Sequence, residues 1–286
     1  MAGGERPIIS FLTDFGTDGA VATCKGVMLS ICRDAQIIDV GHDVRKYAIR
    51  DGAFLLRFAL PYVPVGTHVG VVDPGVGTDR RPIGIRTGRG DVLIGPDNGL
   101  FPSVADVLGG AVEARVLTNR DLWLPATTST FHGRDIFAPV AAHLAAGDAP
   151  FEAVGESVAI QDLVRIGEPE AVARPGEIAT AVTYVDSFGN VRLAGGRDEL
   201  ATAFGNPADG MPLEVAFEGP ELRERTRYAT TFGAVGIGES LVYIDSLGNL
   251  AMADNQGNLA ARLGLEHDRA LRISRAWRWP SRSSRS

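Results

Sequence analysis

From Pro7 to about Leu163, short apolar runs alternate with segments whose apolar positions recur at helical spacing. Ile8–Leu12, Gln36–Val40, His68–Val72, Pro82–Arg86 and Val92–Gly95 read as strands, and the β-branched ones that are apolar on both faces fit a covered sheet. Between them, Ala20–Cys32, Tyr47–Leu60 and Asp135–Ala146 carry helical periodicity. Alternation of this kind predicts an α/β domain over residues 1–165, Rossmann-like, with a mainly parallel sheet. Residues 166–176 (IGEPEAVARPG) have no periodicity and two prolines, which predicts a linker. Beyond it, Ile178–Val185, Val191–Ala194, Leu213–Phe217, Leu241–Ile244, Leu250–Ala253 and Ala270–Ile273 read as strands separated by turns. A C-terminal β-barrel domain over 177–286 is expected, with polar Pro280–Ser286 fraying.

In a parallel sheet, ligands gather at the carboxyl ends of strands. The residues just past those ends are Thr13-Asp14-Phe15-Gly16, Gly41-His42-Asp43 and Asp73-Pro74-Gly75-Val76-Gly77. Glycine is the compositional outlier, 35 of 286 residues or about 12% against a typical ~7%. Tight functional loops account for that excess.

Apolar residues form 45% of the chain and charged residues 22%, so disordered and collagen-like classes are excluded. The net charge of −7 argues against a phosphate-backbone binder, leaving a nucleoside ligand open. No apolar run approaches the ~20 residues of a membrane span, and MAGGERPIIS lacks the features of a secretory signal. Cys24 and Cys32 match no metal spacing and read as buried thiols of a reducing cytoplasm.

Asp73-Pro-Gly-Val-Gly-Thr-Asp-Arg80 is glycine-rich, but it lacks the Gly-Lys-Ser/Thr of a phosphate loop. Asp73 and Arg80 read either as a surface ion pair or as part of a site, and His132 in Thr130-Phe-His-Gly-Arg-Asp135 either as a turn residue or as a catalyst. Asp, Arg and His drawn from loops at one sheet edge would suit the binding and deprotonation of water. No GxSxG, HExxH or histidine spacing points to another triad or to a metal. In the second half, Thr183–Ala194 and Val242–Ala253 spell the same strand–turn–strand twice, each around Asp-Ser-x-Gly-Asn. Those turns are either hairpin chemistry or ligand clamps.

Taken in order, Phe11-Leu-Thr-Asp14-Phe-Gly, Val71-Val-Asp73-Pro-Gly-Val-Gly with Arg80, Gly95-Pro-Asp-Asn-Gly-Leu100, Thr130–Asp135, Asp186-Ser-Phe-Gly-Asn190 and Asp245-Ser-x-Gly resemble the S-adenosylmethionine hydroxide adenosyltransferases, relatives of the bacterial fluorinase and chlorinase. The likeness runs from about Pro7 to Ile273. It implies an α/β domain, a β-barrel, and a homotrimer with active sites between one subunit's first domain and a neighbour's second. It implies hydrolysis of S-adenosylmethionine to adenosine and L-methionine, without a cofactor or metal and without nucleic-acid or membrane partners.

By the same resemblance, Asp73, Arg80 and His132 hold the attacking water or hydroxide. Asp14 binds the ribose hydroxyls, Tyr47 packs on the sugar, Phe131 with Gly133 flanks the reacting carbon, and Phe15 is a further substrate contact. Asp186 takes the methionine ammonium, Phe188 and Asn190 the adenine, and Ser246 the methionine carboxylate. Asp73 and His132 stand where the halogenases carry tyrosines, Val76 and Gly133 replace their halide contacts, and Leu247 replaces an arginine. Arg86–Asp91 is a short turn where the halogenases have an insertion. Hydrolysis is therefore expected, with halide transfer and non-catalytic binding of S-adenosylmethionine or adenosine as the alternatives.

Overall fold

The structure, a computed structural model, describes residues 6–219 and 222–276. The expected fraying of Pro280–Ser286 lies outside the described residues. The chain divides into two compact units between Ile166 and Gly167.

The first unit contains β1 (Ile8–Thr13), α1 (Ala20–Ile31), β2 (Gln36–Gly41), α2 (Ile49–Ala59), β3 (Thr67–Val71), β4 (Pro82–Thr87), β5 (Val92–Pro96), α3 (Pro102–Val107), β6 (Ala111–Val116), α4 (Ala138–Ala146) and β7 (Ser157–Val158). The strands form one sheet in the order β2-β1-β3-β5-β4-β6-β7. All five expected strands are present, and β2, β1, β3 and β5 run parallel. The exception to the mainly parallel arrangement is β4, which pairs antiparallel with β5 and β6. The cause is local. Only Gly88–Gly90 and Asp91 separate β4 from β5, closed by Thr87 N–H donating to Asp91 O, whereas a parallel return needs a crossover of a dozen or more residues.

Strand alternation sends side chains to two separate cores. Phe11, Val69 and Val71 pack with Cys24, Met28 and Val140 of α1 and α4 on one face. Leu12 and Val72 pack with Leu56 and Val104 of α2 and α3 on the other. At the amino ends of the parallel strands the sheet carries a buried polar network instead. Ser10 Oγ and His68 Nδ1 lie 2.8 Å apart, and His68 Nε2 and Asp91 Oδ1 2.8 Å. Arg89 donates to both Asp91 oxygens, at 2.7 and 2.8 Å.

The second unit contains β8 (Val172–Arg174), β9 (Glu177–Val185), β10 (Val191–Gly196), α5 (Arg197–Phe204), β11 (Pro212–Phe217), β12 (Leu222–Tyr228), β13 (Ser240–Ile244), β14 (Asn249–Asp254), α6 (Leu259–Leu263) and β15 (Ala270–Arg275). Pairing of β9 with β10 closes the sheet order β10-β14-β13-β12-β11-β15-β9 into a seven-stranded barrel, with β8 lying outside on β9. Leu213, Val215 and Phe217 point inward from β11, among Ile178, Val242 and Met252. β8 falls inside the segment read as linker, and β12, with the sequence LRERTRY, was hidden by its charge. Among the described residues, no helix is long and apolar enough to cross a membrane.

The Asp91 network has a measurable weight. Burial pushes the Asp91 carboxyl up, but hydrogen bonds from His68 and Arg89 outweigh it and hold the pKa well below the usual carboxylate range. A depressed folded-state pKa contributes stability above the unfolded value of 3.8, which is lost as pH falls below it. Asp91→Asn is expected to lower stability at pH 7 by roughly 2–4 kcal/mol, a deficit that narrows below about pH 4. Denaturant unfolding of both proteins across pH checks this, and a deficit independent of pH contradicts it.

Candidate active site

Segments following β1, β2 and β3, together with residues 130–133, line an open cavity of about 490 Å3, within the ~300–1,000 Å3 usual for small-molecule sites. Asp14, Phe15, Tyr47, Asp73, Phe131, His132 and Gly133, all read from sequence as site residues, line it. Phe15 meets Phe131 edge-on, ring centroids 5.7 Å apart. A side chain at Gly133 would come within 2.9 Å of the Phe15 ring, so glycine there lets the two aromatics close. Tyr47 holds a left-handed backbone (φ 66°), and its N–H donates to Asp14 Oδ2 at 2.9 Å. That contact fixes one carboxylate oxygen of Asp14.

Arg80 does not line the cavity; it stands behind Asp73 and His132. Its Nε donates to Asp73 Oδ1 at 3.1 Å and its Nη2 to Asp73 Oδ2, a bidentate pair with both side chains about 95% buried. Nη2 also lies 3.0 Å from His132 Nδ1. Because a guanidinium only donates, Nδ1 must accept, which assigns the proton of the neutral ring to Nε2. The environment agrees. Burial, then the Arg80 cation, push the imidazole pKa below 6.5, against opposing pulls from Asp73 and Asp135. Arg80 Nη1 is buried without a hydrogen-bond partner among the described residues.

The two loops carrying these groups are tied down separately. Gly77 has φ 77° and passes so close to Ser129 that a Cβ would lie 2.5 Å from its carbonyl oxygen. Asp135, fully buried, accepts from Thr128 N–H and Oγ1 at 2.8 Å and from Arg134 Nε at 2.6 Å, holding the segment that leads to Phe131 and His132. A single π-helical turn, Gly133–Phe137, follows His132 before α4 begins. Such turns recur at functional sites.

Sequence reasoning missed several supports. Lys46 lines the cavity and its Nζ donates to Asp14 O at 2.5 Å. Thr13 Oγ1 accepts from Phe15 N–H and lies 3.0 Å from His42 Nδ1, while His42 Nε2 meets Asp39. Adjacency to Asp14 and Tyr47 was the available signal for Lys46 and Thr13.

The remaining predicted contacts lie in the second unit. Asp186, Phe188 and Asn190 occupy the β9–β10 turn and Ser246 the matching β13–β14 turn. Both turns close alike, through Gly189 N–H to Asp186 O and Gly248 N–H to Asp245 O, each 3.0 Å. Asp186 Oδ1 accepts from Phe188 and Asn190 N–H and its Oδ2 from Asn190 Nδ2, so the carboxylate organises its own turn. Asp245 does the same for Leu247 and Asn249, and also takes Arg192 Nε at 2.5 Å. Phe188 is 75% exposed, and Ser246 and Leu247 are exposed beside Asp245. Among the described residues no group of three or more His, Cys, Asp or Glu is placed to hold a metal.

Family models for the N- and C-terminal domains of SAM hydroxide adenosyltransferases match residues 9–155 and 180–272. The chain belongs to the SAM hydroxide adenosyltransferase family. It is 44% identical to the (R)-S-adenosyl-L-methionine hydrolase of Salinispora tropica, over 94% of this chain and 98% of that one. It is 31% identical to the fluorinase of Actinopolyspora mzabensis, over 95% and 98%. The crystal structure of an uncharacterized conserved protein from Thermotoga maritima superimposes with a TM-score of 0.83 at 34% identity, covering 93% of this chain and all of that one.

The Arg80–His132 contact in this family member makes a direct prediction. Arg80→Met removes the cation that opposes imidazole protonation and leaves Asp73, which favours it. NMR titration of the variant is expected to give a His132 pKa above that of the wild type. An equal or lower value contradicts the assigned contact.

Proposed function

We propose that this protein hydrolyses S-adenosyl-L-methionine to adenosine and L-methionine, with water attacking ribose C5′. The observation that carries the reading is Asp73 and His132 on the cavity wall, held by one buried Arg80, in a chain of this family. The oxygen–C5′ bond forms as the C5′–sulfur bond breaks, and the electron pair goes to sulfur, which leaves as the neutral thioether of methionine. No acid is needed for that leaving group. The water must lose its proton.

His132, neutral with its proton on Nε2, orients the water by donating to it. Asp73 is then the proton acceptor. Its oxygens retain lone pairs beyond those used by Arg80, and a water already bonding to carbon is acidic enough for a carboxylate to deprotonate. Arg80 keeps both partners in register.

Asp14 holds the ribose hydroxyls, Tyr47 packs on the sugar, and Phe15, Phe131 and Gly133 pack around C5′. Asp186 takes the ammonium, Phe188 and Asn190 the adenine and Ser246 the carboxylate. The 75% exposure of Phe188 suits a face completed by another molecule, and we place these residues over a neighbouring subunit's cavity in a homotrimer. The reaction as written needs no cofactor. Two free, buried cysteines suit a reducing cytoplasm.

The fluorinase relatives raise halide transfer as the competing reading. Val76 and Gly133 line the cavity with no side-chain donor for a halide, and Asp73 cancels the Arg80 charge that would attract one. Incubation with S-adenosylmethionine in molar chloride is therefore expected to give adenosine as the sole nucleoside. Chromatographic detection of 5′-chloro-5′-deoxyadenosine as a substantial enzyme-dependent product would overturn the reading. His132→Ala and Arg80→Ala are each expected to lower kcat by about 10²–10⁴-fold in the same assay.

A further inference from the structure

Gly95-Pro-Asp-Asn-Gly-Leu100 supplies nothing to the cavity wall, yet it grips the reactive loop at both ends. Asp73 and Arg80 sit at either end of a loop containing Gly75 and Gly77, with Pro74, Gly77, Thr78 and Asp79 exposed. Such a backbone has much freedom to lose. Val72 precedes this loop and Arg81 follows it. Asn98 Nδ2 donates to Val72 O at 2.9 Å. Asp97 N–H donates to Arg81 O at 2.9 Å, and the Arg81 guanidinium returns to Asp97 Oδ2 through Nε at 2.9 Å and through Nη2.

Both residues are themselves fixed. Asn98 Oδ1 accepts from Leu100 N–H at 3.3 Å, which orients the amide so that its NH2 faces Val72. The Asp97 side chain is 1% exposed, and its Oδ1 accepts from Val164 N–H at 2.9 Å. The β4–β5 hairpin explains the juxtaposition. Pro82 pairs with Pro96, so the residues before β4 and after β5 emerge side by side. Charge adds a second constraint, because consecutive Arg80 and Arg81 could both compete for Asp73. Asp97 occupies Arg81 and leaves Asp73 to Arg80.

We propose that Asp97 and Asn98 are positioning residues that pin the ends of the 73–80 loop, so that Asp73 meets Arg80 and Arg80 meets His132. The proposal rests on the triad read above. A displacement of about 1 Å at such a group can cost on the order of 10²-fold in rate.

The test uses the full chain with Asn98→Asp, which turns the donor to Val72 into an acceptor, and Asp97→Asn, which removes the charge that holds Arg81. Each is expected to lower kcat by about 10–100-fold with KM within about threefold, and Tm within about 5 °C. NMR titration is expected to show the His132 pKa rising in both, as Arg80 withdraws from Nδ1. Asp73→Asn is assayed alongside. If it keeps full turnover the triad reading fails, while the His132 shift still decides the positioning role. If Asp73→Asn is inactive but Asn98→Asp and Asp97→Asn keep the wild-type kcat and His132 pKa, only the positioning role is overturned. Failure of both variants to fold, or activity loss with an unmoved His132 pKa, overturns it as well.

Discussion

Arg80 is a cation with 6% of its side chain exposed, and the rest of the site follows from how that charge is balanced. Burying a guanidinium alone would cost several kcal/mol, so a carboxylate must lie beside it. Asp73 takes its Nε and Nη2, and the same Nη2 reaches His132 Nδ1. That contact assigns the tautomer of His132, and together with burial, the larger cause, it makes the ring resist protonation. On the proposed reading, the wall presents His132 as a neutral donor and Asp73 as a charge-compensated acceptor. Such a wall suits a neutral water better than a halide.

The sheet has to deliver these groups to one edge, and the reversed β4 is what does so. Asp73 follows β3 at the carboxyl edge of the parallel strands, and β5 ends at that same edge. Because β4 is antiparallel to β5, it begins where β5 ends, so Arg80 and Arg81 enter it beside Asp73 and Asp97. A parallel β4 would have started at the opposite edge and stranded Arg80 there. The short turn at Thr87–Asp91 thus sets where Arg80 enters the sheet, and the buried Asp91, His68 and Arg89 network holds that far end.

Strands β1, β3 and β5 were legible because apolar residues on both faces are a strong signal of a covered sheet, whereas β2 is an edge strand with no fully buried residue. The direction of β4 was not read, although the shortness of its turn contained the answer. β12 was obscured because only alternate residues of LRERTRY need face the barrel, and most of the sequence is polar. Asp14 and Asp73 were read from their positions after strand ends and His132 from a polar turn before a helical segment, and the structure brings them to one cavity with Phe15, Tyr47, Phe131 and Gly133. Asp73 and Arg80 were read either as a surface ion pair or as part of a site; the structure pairs them in a buried contact, and the place of Arg80 behind the wall is a tertiary fact. For the twin Asp-Ser-x-Gly-Asn turns, the hairpin reading accounts for most of the carboxylate bonds. Asn98 and Asp97 could not be assigned from sequence, because their partners lie across a hairpin and at the end of the unit.

Oxygen isotope tracing tests the central claim most directly, since it follows the atom that the site is built to deliver. Incubation with S-adenosylmethionine in 18O-labelled water, followed by mass spectrometry, is predicted to place one 18O at the 5′ position of adenosine and none in methionine. Unlabelled adenosine, or label found in methionine, would contradict attack of water on C5′ between Asp73 and His132.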